Sequence, residues 1–215
     1  SNTASGGTAS ASGGVGNIAS GGSSSASGGD YNTASGTKSS ISGGYNNTAT
    51  NTGSHVSGGW GNDAIGTHTS ILGGYDNTTD SNESTVAGGW LNTASGPQAT
   101  VAGGYGNVAS SSQTAVSGGY ENEASGWRAV VVGGHTNDAF ANQSVVVGGY
   151  LNDANSAATE SVVVGGHAND ADAVESVVVG GYYNDSDHLY SVTIGGEWNN
   201  TEGQSDIEPN PFMGW

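Results

Sequence analysis

The stretch Gly43–Ser57 reads GGYNNTATNTGSHVS; Gly58–Leu72 follows as GGWGNDAIGTHTSIL, and Gly88–Ala102 as GGWLNTASGPQATVA. Each unit has fifteen residues and the pattern G-G-aromatic-x-N-x-A-x-x-x-x-S/T-x-V-x, so the chain repeats itself. Outward from these units, Gly-Gly pairs begin at Gly28, Gly73, Gly103, Gly118, Gly133 and Gly148 on the same grid, then at Gly165, Gly180 and Gly195. One interval is seventeen residues rather than fifteen. Its two extra residues fall within Asn155–Thr159, and the register resumes unchanged, as an insertion in a surface turn would allow. Near the start, Gly-Gly recurs at Gly6, Gly13, Gly21 and Gly28, at alternating steps of seven and eight. A unit is therefore expected to hold two short strands and two tight turns, one at the Gly-Gly and one near Ala34-Ser35-Gly36 or Ala94-Ser95-Gly96.

Counting places from the first glycine, the fifth is Asn throughout: Asn32, Asn47, Asn62, Asn77, Asn92, Asn107, Asn122, Asn137, Asn152, Asn169, Asn184 and Asn199, with Asn17 and Asn2 continuing the grid backwards. Fifteen residues give roughly 50 Å of contour, one circuit of a flattened coil with two strands of about five residues. The fold class read from this is all-β: a parallel β-roll or β-solenoid of about fourteen coils, in which each residue sits over its counterpart one unit away. Stacked Asn amides can donate to and accept from their copies, which makes the column a structural ladder. Small Ala at the seventh place (Ala49, Ala64, Ala94) and Val or Ile at the fourteenth (Val56, Ile71, Val101) form the thin core, so the thirteenth and fifteenth places should point outward. In Val130–Val132, Val145–Val147, Val162–Val164 and Val177–Val179 those outward places are apolar too. That stripe reads as a subunit interface or as a different coil packing.

Composition narrows the functions. The chain has 215 residues, 40 glycines, no cysteine and a formal charge of −17, from nineteen acidic residues against Lys38 and Arg128. Glycine at this level disfavours helical folds, and the absence of cysteine excludes a disulfide scaffold or a thiolate zinc site. The charge repels phosphate, so no nucleic-acid partner is expected; with no long apolar run, neither is membrane insertion. It suits salt-rich surroundings. The chain begins without Met or a signal segment, which reads as a processed product or a fragment.

The strands Ser144-Val145-Val146-Val147-Gly148, Ser161-Val162-Val163-Val164-Gly165 and Ser176-Val177-Val178-Val179-Gly180 resemble the S-V-A-I-G strand of YadA-like trimeric autotransporter adhesin heads. The likeness covers essentially the whole chain, and similar repeats occur in phage and virus tail fibres. The resemblance implies a left-handed parallel β-roll, three chains side by side, serving as an adhesive or spacer rod. The chain differs in doubling the glycine and following it with an aromatic.

Three surface columns carry candidate chemistry. The third place holds Tyr45, Trp60, Tyr75, Trp90, Tyr105, Tyr120, His135, Tyr150, His167 and Tyr182. Such rings can stack offset and stabilise the rod, or, as Tyr and Trp, lie against sugars in a glycan-binding row. Fourteen of the acidic residues lie from Glu121 onward. Asp138, Asp153, Asp170 and Asp185 follow the ladder Asn and are the candidates for Ca²⁺, the one metal considered, against a solvated acidic face. His55, His68, His135, His167 and His188 do not converge, and no nucleophile elbow or metal-helix motif occurs, so no enzyme is expected. Asn46, Asn77, Asn82, Asn142, Asn184 and Asn199 begin Asn-x-Ser/Thr sequons.

The expected organisation is a β-roll over 1–194, with 1–27 as degenerate Gly/Ser-rich coils ordered through neighbouring chains, and a last coil and cap over 195–215. There the period is lost, Pro209 and Pro211 stop strand growth, and Phe212, Met213 and Trp215 plug the end. The reading is an extracellular fibre or spike on a virion or cell surface, from a halophilic system such as a haloarchaeal virus. It would be homotrimeric, with a host-surface glycan or glycoprotein and other virion or fibre proteins as partners. The alternative is a monomeric solenoid binding ice or a mineral, although no face carries a regular Thr array.

Overall fold

The computed structural model describes residues 1–201 and the strand Ile207–Pro209. The chain divides into two compact units, Ser1–Asn107 and Val108–Trp215. Both are all-β among the described residues. In the first, strands at places six and seven (Thr3–Ala4 through Thr93–Ala94) form one parallel sheet, and strands at places thirteen and fourteen (Ser10–Ala11 through Thr100–Val101) form the other. The second unit repeats the arrangement from Val108–Ala109 and Ala115–Val116 onward. Each strand pairs with the strand two ahead in the chain, so successive circuits lie in register fifteen residues apart, as in Thr48↔Asp63 and His55↔Ser70. The bonds run from one coil to the next: Thr48 N–H donates to Asn62 O at 2.9 Å and His55 N–H to Thr69 O at 2.9 Å.

The strands are two or three residues long, not about five. The rest of the circuit is turn, and each half-circuit is closed by a residue in the left-handed region: place four (Tyr31, φ 60°; Leu91, φ 58°) and place eleven (Lys38, φ 58°; Gln98, φ 60°). These corners are seven and eight residues apart, which is the spacing seen in the N-terminal glycines. The side chains there are mostly not glycine; the corner that requires it is place two. At Gly59 φ is 92°, and a Cβ would collide with Gly74 O of the next coil and lie 2.5 Å from Asn62 Nδ2.

From Ile41 to Val178 the interior holds one branched aliphatic side chain per coil, as Ile41, Val56 and Ile71 in the first unit and Val131, Val146 and Val163 in the second, these six fully buried against Ala at place seven. So slim a core leaves polar bonding a larger share of the work. The Asn of place five is also fully buried. Asn62 Nδ2 donates to Asn47 Oδ1 at 3.1 Å, to Gly58 O of its own coil at 3.0 Å and to Gly74 O of the next at 3.1 Å. Its Oδ1 accepts the backbone and side-chain N–H of Asn77, each at 3.0 Å. Asn107 Nδ2 likewise reaches Asn92 Oδ1 at 3.1 Å. The ladder thus links side chains to each other and pins the Gly-Gly turn to its neighbour. Place twelve closes the opposite turn: Ser54 Oγ and N–H both donate to Asn51 O, at 2.8 and 3.1 Å.

Coils run through the described residues at both ends. Thirteen complete coils form, seven in the first unit and six in the second; Asn199 heads a further turn described only by the bridge Asp185↔Asn200 and by Ile207–Pro209. Residues 1–27 form coils within this single chain, with Asn17, Ala19 and Ala26 fully buried, because the ladder and backbone bonds do not need bulky side chains. The period also outlasts Gly195: Val192↔Ile207 and Ile194↔Pro209 keep the fifteen-residue offset, with Pro209 ending the strand. The proposed plug residues Phe212, Met213 and Trp215 lie outside the described residues. The insertion is where the spacing put it, with Val145↔Val162 and Asp153↔Asp170 in register around a turn closed by Ala158 N–H to Asn155 O at 2.8 Å.

Candidate functional site

Because every coil repeats the same circuit, outward side chains form columns, and each column is a surface of one chemistry. Place three projects rings to solvent in both units. In the first, Tyr45, Trp60, Tyr75 and Trp90 are 39–51% exposed and bridge coil to coil through their backbones, with Tyr105 half-buried at the end of the column. Ring centroids are 4.8 to 5.7 Å apart, but the planes are tilted by 39° to 73° rather than stacked offset. The mixed ring sizes on a 4.8 Å strand spacing favour edge contacts. In the second unit Tyr120 and His135 stack at 4.6 Å and 18°, while His135–Tyr150, Tyr150–His167 and His167–Tyr182 are tilted or edge-on. The column is an exposed aromatic ridge with faces and edges alternating.

Place six of the second unit carries Glu123, Asp138, Asp153, Asp170 and Asp185 in unbroken register. These carboxylates are half-buried, not a freely solvated face. Burial raises Asp153 from 3.8 to about 7, with Asp170, Asp138 and Asp172 adding repulsion. Burial raises Asp138 to about 6, helped by Glu123, and Asp170 to about 6, helped by Asp172. Asp185 also reaches about 6 through burial and repulsion from Asp172, Asp187 and Asp170, which His188 partly offsets. The four Ca²⁺ candidates stand one per coil, and no group of three or more His, Asp or Glu able to hold a metal ion occurs among the described residues.

The histidines lie at separate places in the circuit. His55 Nδ1 and Ser40 Oγ are 2.6 Å apart, its Nε2 and Ser57 Oγ 3.0 Å, and His135 and His167 are separated by Tyr150. Of the six sequons, Asn77 and Asn184 are ladder members buried in the interior, Asn46, Asn82 and Asn142 are exposed, and Asn199 is half-buried at the end of the ladder.

The apolar stripe is confined to the second sheet of the second unit. Val132, Val147, Val164, Val179 and Ile194 at place fifteen are 39–46% exposed, and Val130, Val145, Val162, Val177 and Val192 beside them are half-buried. These ten aliphatic side chains share one face, and contiguous apolar patches on single chains often mark contact surfaces. Sequence reasoning missed the place-four column, because its left-handed backbone is reached by Tyr, Leu, Asp and Trp alike and leaves no residue signature.

The Ubiquitous surface protein adhesin repeat family model matches residues 84–96, the segment STVAGGWLNTASG. It spans a place-twelve Ser, the Gly-Gly turn, the ladder residue Asn92 and the core residue Ala94, so the match falls on the elements that build the coil. No curated protein sequence matches the chain. No helix among the described residues is long and apolar enough to cross a membrane.

Proposed function

We propose that this chain is a non-enzymatic, adhesin-type fibre segment displayed outside the cell, on a cell or virion surface. The observation that carries this reading is the adhesin-repeat match at 84–96, lying on a column of exposed rings that the coil holds at fixed intervals. The chain assembles as a homotrimer through the apolar columns of its second unit, and attaches to a host-surface glycan or glycoprotein through the ring column. Three aligned copies repeat weak contacts and gain avidity. The YadA-like head and the tail fibre are the two settings this architecture suits, and the acidic composition suits salt-rich surroundings.

Mass in solution at high salt tests the assembly: a trimer that Val147→Asp with Val164→Asp turns into a monomer supports it, and a monomeric parent chain refutes it. Binding to arrayed host-surface glycans tests the ring column. Loss of binding in Trp60→Ala with Trp90→Ala is the expected result; unchanged binding removes glycan recognition by these rings.

A further inference from the structure

On the first sheet of the second unit, opposite in the circuit to the apolar stripe, a cavity of about 280 Å³ opens between places four and six of the last coils. Ala168, Asp170, Tyr183, Asp185, Trp198 and Asn200 contribute to its lining. Its origin is a change of side-chain size along the place-four column. Leu151 is followed by Ala168, which carries only a methyl, and then by Tyr183 and Trp198. The last two rings stack at 4.5 Å with their planes 3° apart, an aromatic wall with Trp198 on its outer, exposed side. Against that wall stand two carboxylates in register, Asp170 and Asp185. Asp185 Oδ1 is buried and has no hydrogen-bond partner.

The carboxylates around this cavity outnumber the cationic groups beside them; His188, paired with Asp187, offsets part of their charge. Asp172 and Asp187 stand just past the ends of the strands that carry Asp170 and Asp185, and the only lysine and arginine in the chain are Lys38, in the other unit, and Arg128, which lies over Trp127 at 4.1 Å and donates to Gln113 Oε1 at 2.8 Å. A cationic ligand would complement these carboxylates. A calcium ion needs six or more oxygens, and two carboxylates beside a hydrocarbon wall are a poor cage for it. An organic cation fits both surfaces at once: the carboxylates take its charge, and the electron-rich rings take its N–CH₂ or N–CH₃ groups, which are too weakly hydrated to resist burial.

We propose that the cavity between Tyr183–Trp198 and Asp170–Asp185 is a binding site for a small alkylammonium group. The chemistry is shared by free alkylammonium ions and by esterified head groups, so choline and phosphocholine are titrated side by side on the full chain by saturation-transfer NMR at low salt. Choline is expected to bind, with its methyl protons saturated from the rings. Asp185→Asn and Trp198→Ala should each weaken it about tenfold, the scale of one lost charge or ring contact. Asp80→Asn, which removes an exposed charge in the other unit, should leave it unchanged. Melting of each variant within a few degrees of the parent shows that loss of binding is not loss of fold, and Tyr183→Leu gives a second route to the same wall. Tighter choline than phosphocholine identifies a free ligand, and the reverse identifies a head group; both support the site. Equal binding of 3,3-dimethylbutan-1-ol, the uncharged isostere, overturns it, as does choline binding that survives both Asp185→Asn and Trp198→Ala, displacement of choline by an equal concentration of Ca²⁺, or no binding at tens of millimolar.

Discussion

Acidification should stabilise this protein, contrary to what a chain rich in structural ion pairs would do. The perturbation is pH across the place-six column of Glu123, Asp138, Asp153, Asp170 and Asp185, which Asp172, Asp187 and His188 also face. In the folded state Asp153 titrates near 7 rather than 3.8, and Asp138, Asp170 and Asp185 near 6. A raised carboxyl holds its proton in the fold at a pH where the unfolded chain has released it, so stability falls as pH rises from about 4 through 7. For Asp153, moving from 3.8 to about 7 corresponds to roughly 4 kcal/mol against folding at neutral pH. The side chain is only half-buried, and solvent screening cuts this to about 2 kcal/mol. The neighbours share the same repulsions, so their contributions overlap, and the column as a whole costs about 3 to 5 kcal/mol at pH 7.5 relative to pH 4.5. At about 2 to 4 °C per kcal/mol for a chain of this size, thermal melting followed by circular dichroism should rise by roughly 10 °C on acidification. Asp153→Asn should stabilise by about 2 kcal/mol at pH 7.5, add nothing at pH 4.5 and flatten the slope. Asp80→Asn, removing one exposed charge elsewhere, controls for the general −17 repulsion and should do neither. A melting temperature that climbs from pH 5 to pH 8, or an Asp153→Asn variant less stable than the parent at pH 7.5, would refute the reasoning.

Gly59→Ala should cost about 3 kcal/mol or more, since it combines a left-handed φ with a collision against Gly74 O, while Gly58→Ala, whose nearest contact is 4.0 Å, should be nearly neutral; urea unfolding of the pair separates them. Asn92→Ala should cost about 3 kcal/mol by the same measurement, because Gly88 O and the Asn107 N–H lose their Asn92 partner in the interior, while Gly104 O keeps only the Trp90 N–H. In a host that glycosylates Asn-x-Ser/Thr, peptide mass spectrometry should find sugar on Asn46, Asn82 or Asn142 and none on Asn77 or Asn184; occupancy of either buried residue would contradict its place in the ladder.

The period was legible because it is carried by residues with no substitute. Only Gly accepts the backbone of Gly59 against the next coil, and only Asn offers two acceptor bonds and a shared donor in the space beside it, so both recur with little variation. Ala and Val at places seven and fourteen were legible for the same reason, being sized to a fixed interior. Strand length was not. Two-residue strands followed by left-handed corners at Leu91 or Gln98 leave the same alternation of small and polar residues as longer strands, and the corner itself selects no side chain. The mutual tilt of Tyr45 and Trp60, and the half-burial of Asp153, were hidden too, because both depend on what the adjacent coil places beside them rather than on the residue's own position in the unit.

That division separates scaffold from function. Inward places tolerate only a narrow range of small or branched residues because every coil must stack on a near-copy of itself, and a misfit there is repeated against two neighbours. Outward places bear no such restriction, yet the stack still multiplies whatever they carry: neighbouring carboxylates raise the proton affinity of Asp153, and four valines and Ile194 become a continuous apolar face. A change of one outward residue, as from Leu151 to Ala168 to Tyr183, then creates a local shape in an otherwise uniform surface. Specific recognition by such a protein is to be sought where a column changes character, and broad adhesion where it does not.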